Sequence, residues 1–260
     1  MTAHCIYREE HDDTHVEIWD EHDRRSLWFD DVILQTEIHL HDPAVLPNAV
    51  NRLMLAHLMF DLPLQRVLLA GCGGGAIARW FHARAPSVRG EAVELSPVVA
   101  RLAHEYFDFP RPFDSHWSLH IGDIREFVVH SGRRYSFILL DLEENQSTPD
   151  WLTGHDFLSG CRSCLEPDGV LTLNLIVDDG FETGAALQRV REVFGPDIML
   201  LDEPHHDNLL VLAFRGQTPA IPDQAALVQR GLRWGMDLQG MAARITHLGD
   251  SARQDVSSTE

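Results

Sequence analysis

The feature that most constrains this chain is the run Arg66-Val67-Leu68-Leu69-Ala70-Gly71-Cys72-Gly73-Gly74-Gly75. It reads as a short buried strand, a glycine turn, and a helix opening at Ala76 and running to Ala85. Glycines let backbone approach a ligand closely, and the helix start offers free N–H groups to it. Two further signals follow in order. Glu94 ends the next strand, Arg89 to Glu94, at 23 residues beyond Gly71, where an acid accepts both ribose hydroxyls. Gly122-Asp123 follows a third strand, Trp117 to Ile121, where an acid can accept from an adenine amino group. A glycine turn and two acids at the ends of successive strands describe a nucleoside site. The chain therefore has to be an α/β protein that exposes three strand ends side by side.

The rest of the pattern agrees. Helices are predicted over Pro97 to Phe107, Arg125 to His130, His155 to Leu165 and Phe181 to Phe194, with strands at Ser136 to Asp141 and Val170 to Leu175. That alternation implies a parallel sheet covered on both faces. Ile198 to Leu201 and Asn208 to Phe214 read as an antiparallel hairpin closing it. Before it, Val16 and Ile33 lie in short alternating runs divided by Asp12-Asp13, Glu21 to Asp23 and Asp30-Asp31, which suits a small antiparallel meander. Trp19, Trp28 and Phe29 are expected to pack it. Pro43 to Leu62 reads as one helix, as does Gln224 to Leu248 despite Gly231, Gly235 and Gly240. The expected organisation is a β domain over 1–45, a nucleoside-binding catalytic domain over 46–216, and a C-terminal helix with a disordered tail over 217–260.

Composition narrows the chemistry. All 21 basic side chains are Arg, so lysine Schiff-base chemistry and a complete GxxxxGK[ST] phosphate loop are both excluded. A formal charge of −19 argues against a nucleic-acid partner. No apolar run nears the roughly 20 residues that span a bilayer. The polar N-terminus and four scattered cysteines fit a cytoplasmic protein with reduced thiols. No metal is expected, since His39, His41 and the His205-His206-Asp207 cluster complete no ligand set. Cys161 and Cys164 are expected in the core.

These strand-end residues resemble the class I S-adenosylmethionine-dependent methyltransferase fold, a seven-strand Rossmann-like sheet, here with a small N-terminal β domain. A nicotinamide-binding fold is the near competitor; the Gly122-Asp123 step and the closing hairpin favour adenosylmethionine. More closely, the chain resembles the spermidine synthase (polyamine aminopropyltransferase) family. The likeness rests on Gln35, the glycine turn, Val93-Glu94-Leu95-Ser96-Pro97, Gly122 to Phe127, Tyr135 to Asp141 and Leu165-Glu166-Pro167-Asp168-Gly169-Val170-Leu171.

The resemblance implies a donor site for S-adenosylmethionine or its decarboxylated form, built from Gln35, Gly71, Gly73, Gly75, Glu94, Asp123 and Ile124. It implies Asp141 as the catalytic base and Glu144 as an acid that holds the amine acceptor. It further implies a homodimer. An attacking amine must be neutral, and a carboxylate beside it serves that need. The chain departs from the family at Gly74, where an Asp usually meets the donor's amino end, and at Asn51, Arg52 and Leu53, which replace Tyr-His-Glu. Arg52, if aimed into the site, would instead suit the carboxylate of intact adenosylmethionine. The leading reading is transfer of an aminopropyl-type group to an amine. A methyltransferase or other adenosylmethionine-consuming enzyme, and a non-catalytic nucleoside-binding protein, are the alternatives.

Overall fold

The computed structural model describes residues 3–11, 14–113, 115–204 and 206–249. Asp12-Asp13, His205 and the tail expected to be disordered lie outside the described residues.

Four strands open the chain: β1 (His4–His11), β2 (Thr14–Glu21), β3 (Arg24–Phe29) and β4 (Ile33–His39). They pair as an antiparallel meander in that order. Alternation sends Val16, Ile18, Leu27, Thr36 and Ile38 to one buried face. Trp19 and Trp28 do not join them. Each is half-buried on the other face, its indole N–H donating to Glu17 or Ser26, because a Trp needs a partner for that group. Phe29 does pack against the core.

The inner face of the meander shares one core with Leu53, Met54, Phe81 and Phe107 of the following chain. Two arginines tie the layers together. Arg25 donates to the Tyr106 carbonyl at 2.7 Å, and buried Arg79 to the His39 carbonyl at 2.8 Å.

The single helix expected over Pro43 to Leu62 is shorter. α1 (Ala49–Met54) starts only after Asn48, whose side chain accepts the Asn51 N–H, and Leu55 leaves helical geometry before a 3-10 turn at Ala56–Met59. The cap sets where the helix begins, and apolar spacing alone does not reveal it.

The α/β layer contains β5 (Arg66–Ala70), α2 (Ala76–Arg84), β6 (Arg89–Glu94), α3 (Pro97–Tyr106), β7 (Trp117–Ile121), α4 (Ile124–His130), β8 (Tyr135–Leu140), α5 (His155–Ser163), β9 (Leu165–Ile176), α6 (Thr183–Phe194), β10 (Ile198–Asp202) and β11 (Asn208–Phe214). After them come α7 (Gln224–Trp234), α8 (Leu238–Ala243) and β12 (Thr246–Leu248). Among the described residues the sheet has eight strands, ordered β12-β10-β11-β9-β8-β5-β6-β7. Strands β7, β6, β5, β8 and β9 run parallel, and β11, β10 and β12 are antiparallel.

The eighth strand corrects the expected seven. It comes from the segment expected to form one helix. Gly235 adopts φ +68 and ends α7, and the chain turns back through α8 to lay Thr246–Leu248 on the edge of β10. A left-handed glycine is a common helix stop. The strand order reverses between β6-β5 and β8, so the crevice beyond the ends of β5 and β8 is the natural ligand position.

Candidate active site

The glycine turn is packed against protein at Gly74 and Gly75, while Gly71, Cys72 and Gly73 stay partly open. Gly71, Gly73 and Gly75 have φ of +75, +49 and +83, which side-chain-bearing residues rarely adopt. A Cβ at Gly71 would overlap the Asp141 carbonyl oxygen, and one at Gly73 would overlap Thr36 Oγ1. The N-terminal meander holds the turn: Gly74 N–H donates to Thr36 Oγ1 at 2.6 Å, and Thr36 donates to the Gln35 carbonyl at 2.7 Å. Gln35 Nε2 in turn donates to Glu143 Oε1, 2.9 Å away, in the loop after β8. Sequence reasoning selected Gln35 and missed Thr36, whose only local signal is its inward place in the β4 alternation.

Glu94 sits where the second strand ends. Cys72 N–H donates to its Oε2 at 3.2 Å and Ser96 N–H to its Oε1 at 3.0 Å. These bonds orient the carboxylate, and each oxygen keeps a second lone pair for a hydroxyl. Burial pushes its pKa up, against those two donors. Two apolar side chains stand open beside the acids, Leu95 at 72% exposure and Ile121 at 60%. An apolar surface flanking hydrogen-bonding groups suits a base ring.

Asp123 caps α4 by accepting the Arg125 N–H at 2.7 Å. The Arg125 guanidinium also grips it, with Nε at 2.9 Å and Nη2 at 2.5 Å from Oδ2, and holds its pKa down. The Ile124 side chain is buried in the core, so only its backbone is free to serve a ligand.

Asp141 follows β8 directly, its N–H bonded to the Ala70 carbonyl at the end of β5. Burial pushes its carboxyl pKa up; Asn174 opposes that shift by donating to Oδ1 at 2.8 Å, and Glu143 adds to it. Asn208 donates to Asn174 Oδ1 at 3.0 Å, so a chain of amides runs from β11 through β9 to the carboxylate.

Beyond it, Glu144 and Ser147 pair across a turn in which Asn145 and Gln146 have φ +52 and +62. Glu144 is exposed and accepts the Trp151 indole N–H at 2.9 Å. The Arg125 guanidinium lies 4.8 Å over the Trp151 ring. The structure thus links Asp123 to Glu144 through Arg125 and Trp151, two contacts that sequence spacing does not reveal.

Two departures from the resemblance acquire a geometry. A Cβ at Gly74 would stand 2.7 Å from Thr36 Cγ2 and 2.8 Å from Phe107 Cγ, so the turn has no room for a side chain there. Arg52 uses its Nη1 to bond the carbonyls of Leu46 and Pro47, backbone groups that the late start of α1 leaves unpaired.

Comparison with known proteins decides the family. A polyamine aminopropyltransferase of Chromobacterium violaceum is 30% identical over 223 residues, covering 83% of this chain and 81% of that protein. The chain belongs to the polyamine aminopropyltransferase family. A second aminopropyltransferase, of Neisseria meningitidis, is 28% identical over 201 residues, 77% of this chain and 76% of that one. The mouse eEF1A lysine and N-terminal methyltransferase is 26% identical over 68% of this chain but only 27% of its own length. No protein-family model matches.

Among solved structures, a probable spermidine synthase from Corynebacterium glutamicum superposes with a TM-score of 0.76 at 20% identity, covering 97% of this chain and 92% of that one. Human methyltransferase-like protein 13 in complex with SAH gives 0.59 at 20% identity, covering 79% and 95%. Both share the fold: this aminopropyltransferase-family chain has the methyltransferase-like sheet preceded by a small antiparallel one.

Cys161 and Cys164 are buried, and Cys164 Sγ approaches the Val128 carbonyl at 3.1 Å. His39 is committed to Asp23 and to the N–H groups of His41 and Asp42. His15, Glu17 and Asp31 bring ligand-type atoms within 4.8 Å of one another, with Glu17 already held by Arg8 and Trp19. Among the described residues, no helix is long and apolar enough to cross a membrane.

Proposed function

We propose that this chain transfers an aminopropyl group from decarboxylated S-adenosylmethionine to a small amine. The observation that carries this reading is Asp141: a half-buried carboxylate with a raised pKa, at the sheet's reversal point, against the glycine turn. The attacking nitrogen forms a bond to the methylene next to the sulfonium. The carbon–sulfur bond breaks, and its electron pair leaves on sulfur as a thioether. The proton lost by the amine passes to Asp141. A carboxylate of raised pKa is the better acceptor for that proton. The sulfonium is already a good leaving group, so positioning supplies most of the rate.

In this reading Glu94 takes the ribose hydroxyls and Asp123, once Arg125 releases it, the adenine amino group. The turn glycines and Ile124 supply backbone approach. Glu144 and Trp151 border the amine. The division into 1–45, 46–216 and 217–260, a cytoplasmic setting and a homodimer belong to the same proposal. Light scattering that finds only a monomer at working concentration would remove the dimer.

One observation favours the methyltransferase alternative. The donor-amine acid is replaced by Gly74, and Thr36 and Phe107 fill its place. Product mass separates the two. The chain is incubated with each donor and a mixture of di- and triamines. An aminopropylated amine supports the proposal, and a methylated product moves the chain to the alternative. Donor binding without any product favours a non-catalytic protein.

A further inference from the structure

The parallel sheet has a second edge, at the starts of its strands, away from Glu94, Asp123 and Asp141. Arg66 begins β5 and Arg89 begins β6, and the two are partners in register. Their side chains therefore stand next to each other on one face. Like charges so placed repel, which favours an anion between them. Among the described residues neither guanidinium has a carboxylate in ion-pair contact. His116 lies on the far side of Arg89, its carbonyl accepting the Gly90 N–H at 2.9 Å. Arg133 lies on the far side of Arg66, just before β8. Buried Glu91 anchors it, accepting from Arg133 Nη1 and, at 2.8 Å, from the Tyr135 hydroxyl. Arg66, Arg89, Arg133, His116 and Ser118, with Gly90 and the Arg133-bound carboxylate Glu91, line a cavity of about 250 Å³. In a chain of formal charge −19, this edge is locally cationic.

We propose that this cavity binds a small dianionic oxyanion, a phosphate group, held between Arg66 and Arg89. The one carboxylate of the cavity, Glu91, is taken by Arg133, and the two adjacent guanidinium groups left over match a dianion better than a monocarboxylate. Their planar donors fit phosphate oxygens in pairs. Arg133 is held in place by Glu91 and adds donors without having to be ordered on binding. The site is separate from the transfer reaction and independent of its donor.

The test titrates the full chain calorimetrically with inorganic phosphate in one arm and glycerol 3-phosphate in the other, at constant ionic strength set with chloride. Either anion is expected to bind saturably, and their ratio identifies free phosphate or a phosphate monoester as the ligand class. The double variant Arg66→Gln/Arg89→Gln is expected to bind at least about tenfold more weakly, since each charge-assisted pair lost is worth a factor of that order. Adenosine-donor binding at the opposite edge serves as the check that this variant is folded. If it does not fold, Arg89→Gln alone, at an exposed position, takes its place. No saturable heat from either anion, or unchanged affinity in the folded variant, overturns the proposal.

Discussion

His57 gives the sharpest quantitative prediction. It is fully buried, its ring centroid is 3.9 Å from that of Phe137, and neither ring nitrogen has a hydrogen-bond partner of good geometry among the described residues. Burial lowers its pKa from the ordinary 6.5 to about 3. The folded chain therefore keeps this ring neutral across the range in which the unfolded chain protonates it. Stability is fully present well above pH 6.5 and is lost progressively as pH falls through that value toward 3. From those two values, the loss is small at pH 7 and about 2 kcal/mol at pH 5. His57→Phe keeps an aromatic ring against Phe137 and removes the titration. Urea unfolding of both proteins at both pH values isolates the residue, because every other group cancels between them. The parent should lose about 2 kcal/mol more than the variant on going from pH 7 to pH 5. Equal losses would refute the argument that burial keeps the ring neutral.

Other predictions bear on the site. Gly74→Asp restores the acid typical of the family where Thr36 and Phe107 leave no room, so it should cost about 1–3 kcal/mol of stability in thermal unfolding and give no gain in affinity for the decarboxylated donor. Parent-like stability with tighter donor binding would show that the turn can open. Asn174→Leu removes a donor that lowers the Asp141 pKa, so the acidic limb of the kcat/KM profile should move to higher pH; an unmoved limb would separate Asn174 from the base.

How much of this was legible beforehand follows from what local sequence encodes. The glycine turn, Glu94, Asp123 and Asp141 were visible because each follows a short apolar strand, and parallel strands in one sheet present those ends together. Thr36 was invisible because its bond to Gly74 depends on where the N-terminal meander docks. Asn174 and Asn208 reach Asp141 only because β9 lies beside β8 and β11 beside β9, an order that no single segment contains. The helices expected over Pro43 to Leu62 and Gln224 to Leu248 failed for one reason. Apolar spacing continues through a break, whereas the Asn48 cap and the left-handed Gly235 decide where a helix starts or stops. The bonds of Arg52 Nη1 to the Leu46 and Pro47 carbonyls were equally hidden, because they depend on where α1 starts.

The central claim is that Asp141 accepts the proton from an attacking amine. The direct measurement is single-turnover formation of aminopropylated product by the parent and by Asp141→Asn, with donor affinity measured alongside. The account predicts that the variant binds donor nearly as the parent does, while the chemical step slows by about 10²–10⁴-fold. A variant that transfers at the parental rate would contradict it.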